Sequence, residues 1–147
     1  MKYFVACAMV ATLAVTAAFA QETQAAPTYT WEARPDGYTF ARNYPQRAVD
    51  EGVQGAAVVC CTVRSDRTLN CTSPLEWPAG YGFGESSIAA SREFRMSESS
   101  YAEIRSDPNH VIRRTVRWVL PPGAVDLPAE FTERARTVCN GPAVPVS

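Results

Sequence analysis

Lysine and histidine are almost missing from this chain. Lys2 is the only lysine and His110 the only histidine; beyond residue 20, 13 arginines stand against 15 acidic residues, a formal net charge of −2. The arginines are scattered, and Arg113, Arg114 and Arg117 form the only dense group. A nucleic-acid-binding domain concentrates its basic residues on one surface, so we expect no nucleic-acid partner.

Sequence patterns for catalysis and metal binding are missing as well. No C-x2-C or H-x3-H spacing, of the kind that structural zinc sites use, occurs. His110 lies in a predicted loop, where a single histidine is typical of a surface position. Asp50 and Glu51 are neighbours on a predicted helix, so they do not face each other as a paired acid and base would. We therefore expect no enzyme, no catalytic residue, no metal site and no cofactor.

The first 20 residues have the layout of a secretory signal peptide. Lys2 gives a small positive region, Phe4 to Ala17 form an apolar stretch, and Ala18-Phe19-Ala20 is an A-x-A cleavage signal. An uncleaved membrane anchor is the alternative, but a spanning helix needs about 20 mainly apolar residues. We predict cleavage after Ala20 and an exported protein, with a membrane association only if cleavage fails.

Four cysteines follow the predicted cleavage point, and an even number in an exported chain is typical of disulfides. Adjacent residues of a strand point to opposite faces, so Cys60 and Cys61 are not expected to bond to each other. We predict a disulfide between Cys61 and Cys71, for the reason given next. By elimination we predict a second disulfide between Cys60 and Cys139, which would tie down the C-terminal tail.

A β-hairpin is predicted around Asp66. Apolar residues alternate along Ala57 to Val63, and Thr68 to Leu75 forms a second extended segment after a polar turn. A hairpin centred near Asp66 places Cys61 opposite Cys71. Directly opposed residues have Cβ atoms about 4.5–5.5 Å apart, which a small adjustment brings within the reach of a disulfide.

Helices are predicted before and after this hairpin. Pro45 suits the first turn of a helix over Gln46 to Glu51, and Gly52 suits its end, where a left-handed backbone is common. Glu85 to Phe94 predicts a second helix that turns Ile88, Ala89 and Phe94 toward a sheet. A short third helix is predicted in the tail from Asp126 to Val138.

The last predicted strand runs from Val111 to Leu120. Val116, Trp118 and Leu120 share its apolar side, while the opposite side carries arginines to water. Pro121-Pro122-Gly123 ends the strand, because proline donates no hydrogen bond to a sheet.

Two segments of the chain resemble the C-terminal domain of TonB, the periplasmic energy transducer. In YPQRAVDEGVQGA (Tyr44 to Ala56) a YPxxA-type helix ends at a glycine, and a V-x-G-x-A step leads into a strand, where Gly55 permits a close backbone approach or a bend. In GFGESSIAASREFRM (residues 82–96) a glycine-phenylalanine-glycine step leads into an alanine-rich helix. The resemblance covers Tyr44 to Leu120, about half of the chain.

This resemblance implies an α+β fold of order α-β-β-α-β, with a three-stranded antiparallel sheet and helices on one face. The chain then divides into a signal peptide (1–20), an N-terminal extension (21–43), a TonB C-terminal-like domain (44–120) and a C-terminal extension (121–147) with its short helix. In TonB the last strand is an edge to which the TonB box, a peptide of an outer-membrane receptor, adds as a further strand. The resemblance therefore implies a periplasmic protein-binding module whose partner is a TonB-dependent outer-membrane receptor. Its peptide-binding edge would comprise Arg113, Arg114, Thr115, Val116, Arg117, Trp118 and Val119.

The sequence departs from the TonB pattern in three places. Asp66-Arg67 replaces the usual aspartate-glycine of the hairpin, which predicts a longer or differently shaped turn. Val116 to Val119 replaces the usual proline-isoleucine-x-phenylalanine of the last strand. Residues 21–43 contain only two prolines, Pro27 and Pro35, so the long spacer of an energy transducer is missing from this segment.

The sequence is also compatible with other functions. Arginines on an edge strand also serve to prevent strand pairing. A structural or envelope-interaction protein that contacts the cell wall would reuse the fold without binding a peptide, and a membrane-anchored transducer subunit is a third candidate. Six aromatic residues in two segments are expected to be core or loop anchors rather than a binding groove: Trp31, Tyr38, Phe40, Trp77, Tyr81 and Phe83.

Overall fold

The computed structural model describes residues 28–140. This part contains five strands and five helices in the order β1 (Trp31–Ala33), α1 (Gly37–Asn43), α2 (Gln46–Asp50), β2 (Gly55–Val63), β3 (Leu69–Trp77), α3 (Phe83–Ser91), β4 (Arg95–Met96), α4 (Glu98–Ile104), β5 (Ile112–Trp118) and α5 (Ala129–Thr137). The predicted signal peptide and its cleavage after Ala20 lie outside the described residues. None of the helices between residues 28 and 140 is both long and apolar enough to cross a membrane.

The main sheet has three antiparallel strands in the order β3-β2-β5, and β1 pairs with β4 in a separate two-stranded sheet. The predicted α+β class and the three-stranded antiparallel sheet are therefore confirmed. The hairpin has the predicted register, with Cys61 opposite Cys71 and Val63 opposite Leu69. Pro74 lies where the register shifts, on a strand at the edge of the sheet, a position that tolerates a residue without an amide donor.

Both predicted disulfides are present. The Cα atoms of Cys61 and Cys71 are 4.0 Å apart, and those of Cys60 and Cys139 are 5.5 Å apart. Because Cys60 and Cys61 point to opposite faces of β2, one bridge lies on each side of the sheet. Disulfides of this kind are typical of proteins from an oxidising compartment.

Helices cover both faces of the sheet: α2 and α3 of the predicted core share one face, and the C-terminal helix, for which no face was predicted, covers the other. On one face Ala57 and Trp118 pack with Ala48 of α2 and with Phe83 and Ala90 of α3. On the other face Ala56, Val58 and Leu75 pack with Phe131 and Ala135 of α5. The predicted C-terminal helix exists, and it covers the face that the other helices leave open because alternate residues of β2 are apolar on both sides.

Helix α3 begins earlier than predicted and buries serines on the side that meets the sheet, while the predicted contacts of Ile88 and Phe94 with residues of the sheet are present. It spans Phe83–Ser91 rather than Glu85 to Phe94, and its buried residues are Phe83, Gly84, Ser87, Ala90 and Ser91. Ile88 is only half-buried. The serines can be buried because they are hydrogen-bonded: the Trp118 indole N–H donates to Ser87 Oγ (2.8 Å), and the Ser91 hydroxyl donates to the Ser87 carbonyl (2.7 Å).

The first predicted helix is confirmed over Gln46–Asp50, and Gly52 has the positive φ, +65°, that the pattern indicated. Two further short helices were not predicted. Asp36 caps α1 by accepting a hydrogen bond from the Thr39 amide (2.8 Å), and this bond is the main cause that holds the pKa of Asp36 below its usual range. Ser97 caps α4 in the same way, through the Ser100 amide (3.3 Å).

The hairpin turn differs in shape from an aspartate-glycine turn, as predicted. The Arg64 amide donates to the Thr68 carbonyl (2.9 Å), so three residues form the loop, and Arg67 occupies the left-handed position with φ +69°. The Arg67 side chain fixes this conformation from outside the turn. Its guanidinium lies 2.6 Å from Glu32 of β1 and 3.4 Å from Glu98 of α4, and it donates to the Met96 carbonyl (3.1 Å).

Arg67→Ala is expected to lower the free energy of unfolding by about 1–2 kcal/mol, because it removes these bonds and keeps the left-handed backbone. Arg67→Gly removes the same bonds but relieves about 1 kcal/mol of backbone strain, so its loss should be smaller. Urea denaturation of the oxidised protein measures both. Arg64→Ala, at the other end of the turn, is the matched control; equal stability of the Arg67→Ala and Arg64→Ala variants would contradict the assignment.

Candidate functional site

In the described part of the chain the sheet ends at β5, and the direction of the backbone groups of β5 follows from the hairpin. The Arg64 amide, just after β2, bonds to the Thr68 carbonyl just before β3, and the Val58 carbonyl accepts from the Ser73 hydroxyl of β3 (2.9 Å). The even-numbered residues of β2 therefore face β3. Backbone groups alternate sides along a strand, so the odd-numbered residues of β2 face β5. Their register partners are the even-numbered residues of β5: Ile112, Arg114, Val116 and Trp118.

Three residues of β5 therefore direct their backbone N–H and C=O groups away from the sheet: Arg113, Thr115 and Arg117. No hydrogen bond between residues 28 and 140 engages these backbone groups. A row of free donors and acceptors of this kind is a template for another strand. The predicted edge strand is thus an edge among the described residues.

A shallow groove follows this edge on the face that α5 covers. It has a volume of about 180 Å³ and is lined by Arg113, Thr115, Arg117, Leu127, Phe131, Thr132, Ala135 and Arg136. The Arg113 side chain donates to the Arg136 carbonyl near the end of α5, where exposed carbonyls attract a positive charge. Arg113 is therefore drawn along the face of the sheet toward α5.

A larger cavity, about 420 Å³, flanks the C-terminal end of β5 on the opposite face. Its lining is mainly apolar and comes from α1, α2 and the end of β5: Gly37, Phe40, Ala41, Tyr44, Val49, Arg117, Trp118, Val119, Leu120 and Pro121. The Tyr44 hydroxyl donates to the carbonyls of Val53 (3.0 Å) and Trp118 (3.2 Å), and burial raises the pKa of Tyr44. These bonds hold the tyrosine ring in place as one wall of the cavity.

The N-terminal half of β5 carries a different site on this same face, around Arg114. The guanidinium carbon of Arg114 lies 4.2 Å from the ring centre of Phe94 and 5.6 Å from that of Trp31. Burial is the main cause that lowers the pKa of Arg114, and the charge of Arg34 lowers it further. Two cavities meet here, and both are lined by Trp31 and Arg114.

Comparison of the chain with models of known protein families, with curated proteins and with solved structures gave no match.

The seven residues predicted for the peptide-binding edge lie together along one strand, with Val119 just beyond its end. They divide by side: Arg113, Thr115 and Arg117 lie on the face that α5 covers, and Arg114, Val116 and Trp118 lie on the opposite face. Trp118 is a core residue that is 1% exposed. Its side chain takes part in the candidate site only as part of the lining of the large cavity.

Several residues that line the cavities beside this edge were not predicted from the sequence. Arg34 and Tyr44 come from the segments before the sheet, and Leu127 and Phe131 come from the C-terminal extension. Phe40 was expected to be a structural anchor; its ring does pack edge-on against Trp118 (5.5 Å), and it also lines the large cavity. The alternation of β5 gave no signal for any of them, because they reach the edge through the packing of α1, α2 and α5.

The remaining candidate groups lie away from this edge or are engaged. His110 accepts or donates a hydrogen bond with the Tyr29 hydroxyl (2.7 Å). All four cysteines after residue 20 are in disulfides. Between residues 28 and 140 there is no cluster of three or more side chains able to hold a metal ion.

Proposed function

We propose that this domain is a protein-binding module of the TonB C-terminal type, which accepts an extended peptide as a fourth strand on β5. The observation that carries the proposal is the row of backbone groups at Arg113, Thr115 and Arg117, which no residue between 28 and 140 pairs, between two grooves. Strand addition takes its affinity from main-chain hydrogen bonds and its specificity from pockets for alternate side chains. At this edge the outward backbone groups of β5 would make the hydrogen bonds, and the two grooves would hold the side chains.

The two grooves match the alternation of an added strand. Successive side chains of a strand point to opposite faces, so one set would lie toward α5 and the other toward α1. The first set meets Leu127 and Phe131, and the second meets Phe40 and Tyr44. A peptide with apolar residues on both faces would therefore bury them on both sides of the sheet.

The arginines of β5 are compatible with this function. Arginines discourage pairing at an edge when an added strand would have to bury their charges. Here the Arg113 side chain bonds to the end of α5, and that of Arg114 lies on the rings of Phe94 and Trp31. Both side chains follow the faces of the sheet and leave the backbone edge accessible.

The strand order also supports the proposal, because it places the first hairpin strand in the centre and the last strand at the edge. This is the arrangement that strand addition to the last strand requires. The two disulfides suit an oxidising compartment such as the periplasm, where outer-membrane receptors present their TonB boxes. A receptor of that class is the partner we propose.

The test is a titration of the oxidised, ¹⁵N-labelled protein with TonB-box-like peptides up to millimolar concentration. We expect amide shifts concentrated at Arg113, Thr115 and Arg117. Thr115→Pro removes one outward donor without touching the bonds to β2, and it should weaken binding about tenfold or more. Thr115→Ala keeps the donor and is the matched control. An absence of shifts along residues 111–120 would overturn the proposal.

A further inference from the structure

An arginine pair that has no acidic partner among residues 28–140 lies beside the proposed peptide edge. Seven ion pairs occur among residues 28–140, and none of them includes Arg34 or Arg114. Arg114 is partly buried against aromatic rings, where an unpaired charge is unfavourable. Both arginines line one cavity of about 240 Å³, together with Trp31, Pro35, Phe40 and Phe94.

The position of Arg114 on β5 determines which peptide residue would meet it. Because Arg113 and Thr115 carry the outward backbone groups, Arg114 would form a non-hydrogen-bonded pair with the residue opposite it on a strand added antiparallel to β5. Side chains of such pairs approach most closely, with Cβ atoms about 4.5–5.5 Å apart. A second cavity, lined by Tyr29, Trp31 and residues 112–115, keeps the space beside the edge open at this point.

We propose that the peptide bound by β5 carries an aspartate or glutamate opposite Arg114, held by the guanidinium groups of Arg114 and Arg34, and a large apolar residue four positions away, over the cavity at Trp118. This inference rests on the proposed strand addition. The spacing follows from β5 itself: residues 114 and 118 share a face, and the cavity at 118 is the apolar one. A carboxylate also relieves the mutual repulsion of the two arginines.

Selection from a displayed library of random decapeptides on the oxidised protein tests this motif. We expect enrichment of an acidic residue and a large apolar residue at a separation of four. A synthetic selected peptide should then bind about fivefold more tightly than its Glu→Gln counterpart, and the preference should fall as salt is added. Against the R114Q and R34Q variants the two peptides should bind almost equally.

Two controls make the outcomes distinguishable. R105Q replaces an exposed arginine at the end of α4 and should keep the full preference for glutamate. R34Q, at an exposed position, tests the acid contact even if R114Q fails to fold. Peptides that shift the amides of residues 113, 115 and 117 but bind equally with glutamate or glutamine would overturn this inference and leave the proposed function standing. A glutamate preference that persists in both R34Q and R114Q would overturn it as well. If no peptide shifts these amides, the proposed function fails and the inference with it.

Discussion

Replacement of Cys60 and Cys139 by alanine is expected to lower the free energy of unfolding by about 4.5 kcal/mol. The disulfide joins residues 79 apart in the chain, and a cross-link over so long a loop restricts the unfolded chain strongly. A domain of this size typically has a stability of about 5–15 kcal/mol, so the loss removes a large part of it. Urea denaturation of the wild-type and variant proteins, both under oxidising conditions, measures the difference.

Amide hydrogen exchange in α5 tests whether the loss of stability comes from the Cys60–Cys139 bridge. The Cys60–Cys139 bridge ties α5 to the sheet, so its removal should speed amide hydrogen exchange in Ala129–Thr137 more than elsewhere. Removal of the Cys61–Cys71 bridge, which spans only 10 residues on the opposite face, should leave α5 protected. A loss below about 2 kcal/mol, or equal exchange of α5 in both variants, would contradict this role of the bridge.

Gly55→Ala is expected to destabilise the protein by about 3 kcal/mol or more. A Cβ atom at residue 55 would lie 2.3 Å from Cε2 of Phe83 and 2.4 Å from the backbone carbonyl oxygen of Trp77. Neither neighbour can move easily, because Phe83 is fully buried and Trp77 is paired to β2. The methyl group must therefore separate α3 or β3 from the central strand. The sequence at Gly55 permits a close approach or a bend, and the structure has the close approach.

Gly37→Ala is the matched control, since the same methyl group is added where nothing lies within 4 Å. Gly37 is the first residue of α1, and alanine there should leave stability unchanged or raise it by up to about 1 kcal/mol. Thermal and urea denaturation of both variants give the comparison. If Gly55→Ala were as stable as Gly37→Ala, the close packing of Phe83 on the start of β2 would be wrong.

The hairpin could be predicted from the sequence because its signals are local. The alternation before Arg64, the polar turn and the alternation after Arg67 fix which residues are opposite, and the disulfide partners follow from that register. The phase of α3 could not be predicted in this way. Ser87 and Ser91 are buried because Trp118, 31 residues further along the chain than Ser87, donates a hydrogen bond to Ser87, and no local pattern in α3 reports a partner so distant.

In the candidate site, too, some residues are predictable from local sequence and others are placed only by tertiary packing. The residues of β5 could be named from their alternation, but the sides of the edge are built by residues far away in the sequence. Arg34 and Phe40 reach it because β1 pairs with β4 and α1 packs against α3. Leu127 and Phe131 reach it because α5 covers the second face of the sheet. The strand is predictable from its own alternation, whereas only tertiary packing defines the grooves beside it.

The adjacent cysteines of β2 make oxidative folding depend on strand formation. In an unfolded chain Cys71 would meet Cys60 and Cys61 with nearly equal ease, because the two closed loops differ by a single residue. The same is true of Cys139. Only when β2 adopts its pleat do the two thiols point to opposite sides, one toward Cys71 and the other toward α5. The backbone of β2 therefore determines which thiols can pair. The yield of correctly oxidised protein reports how early this central strand forms.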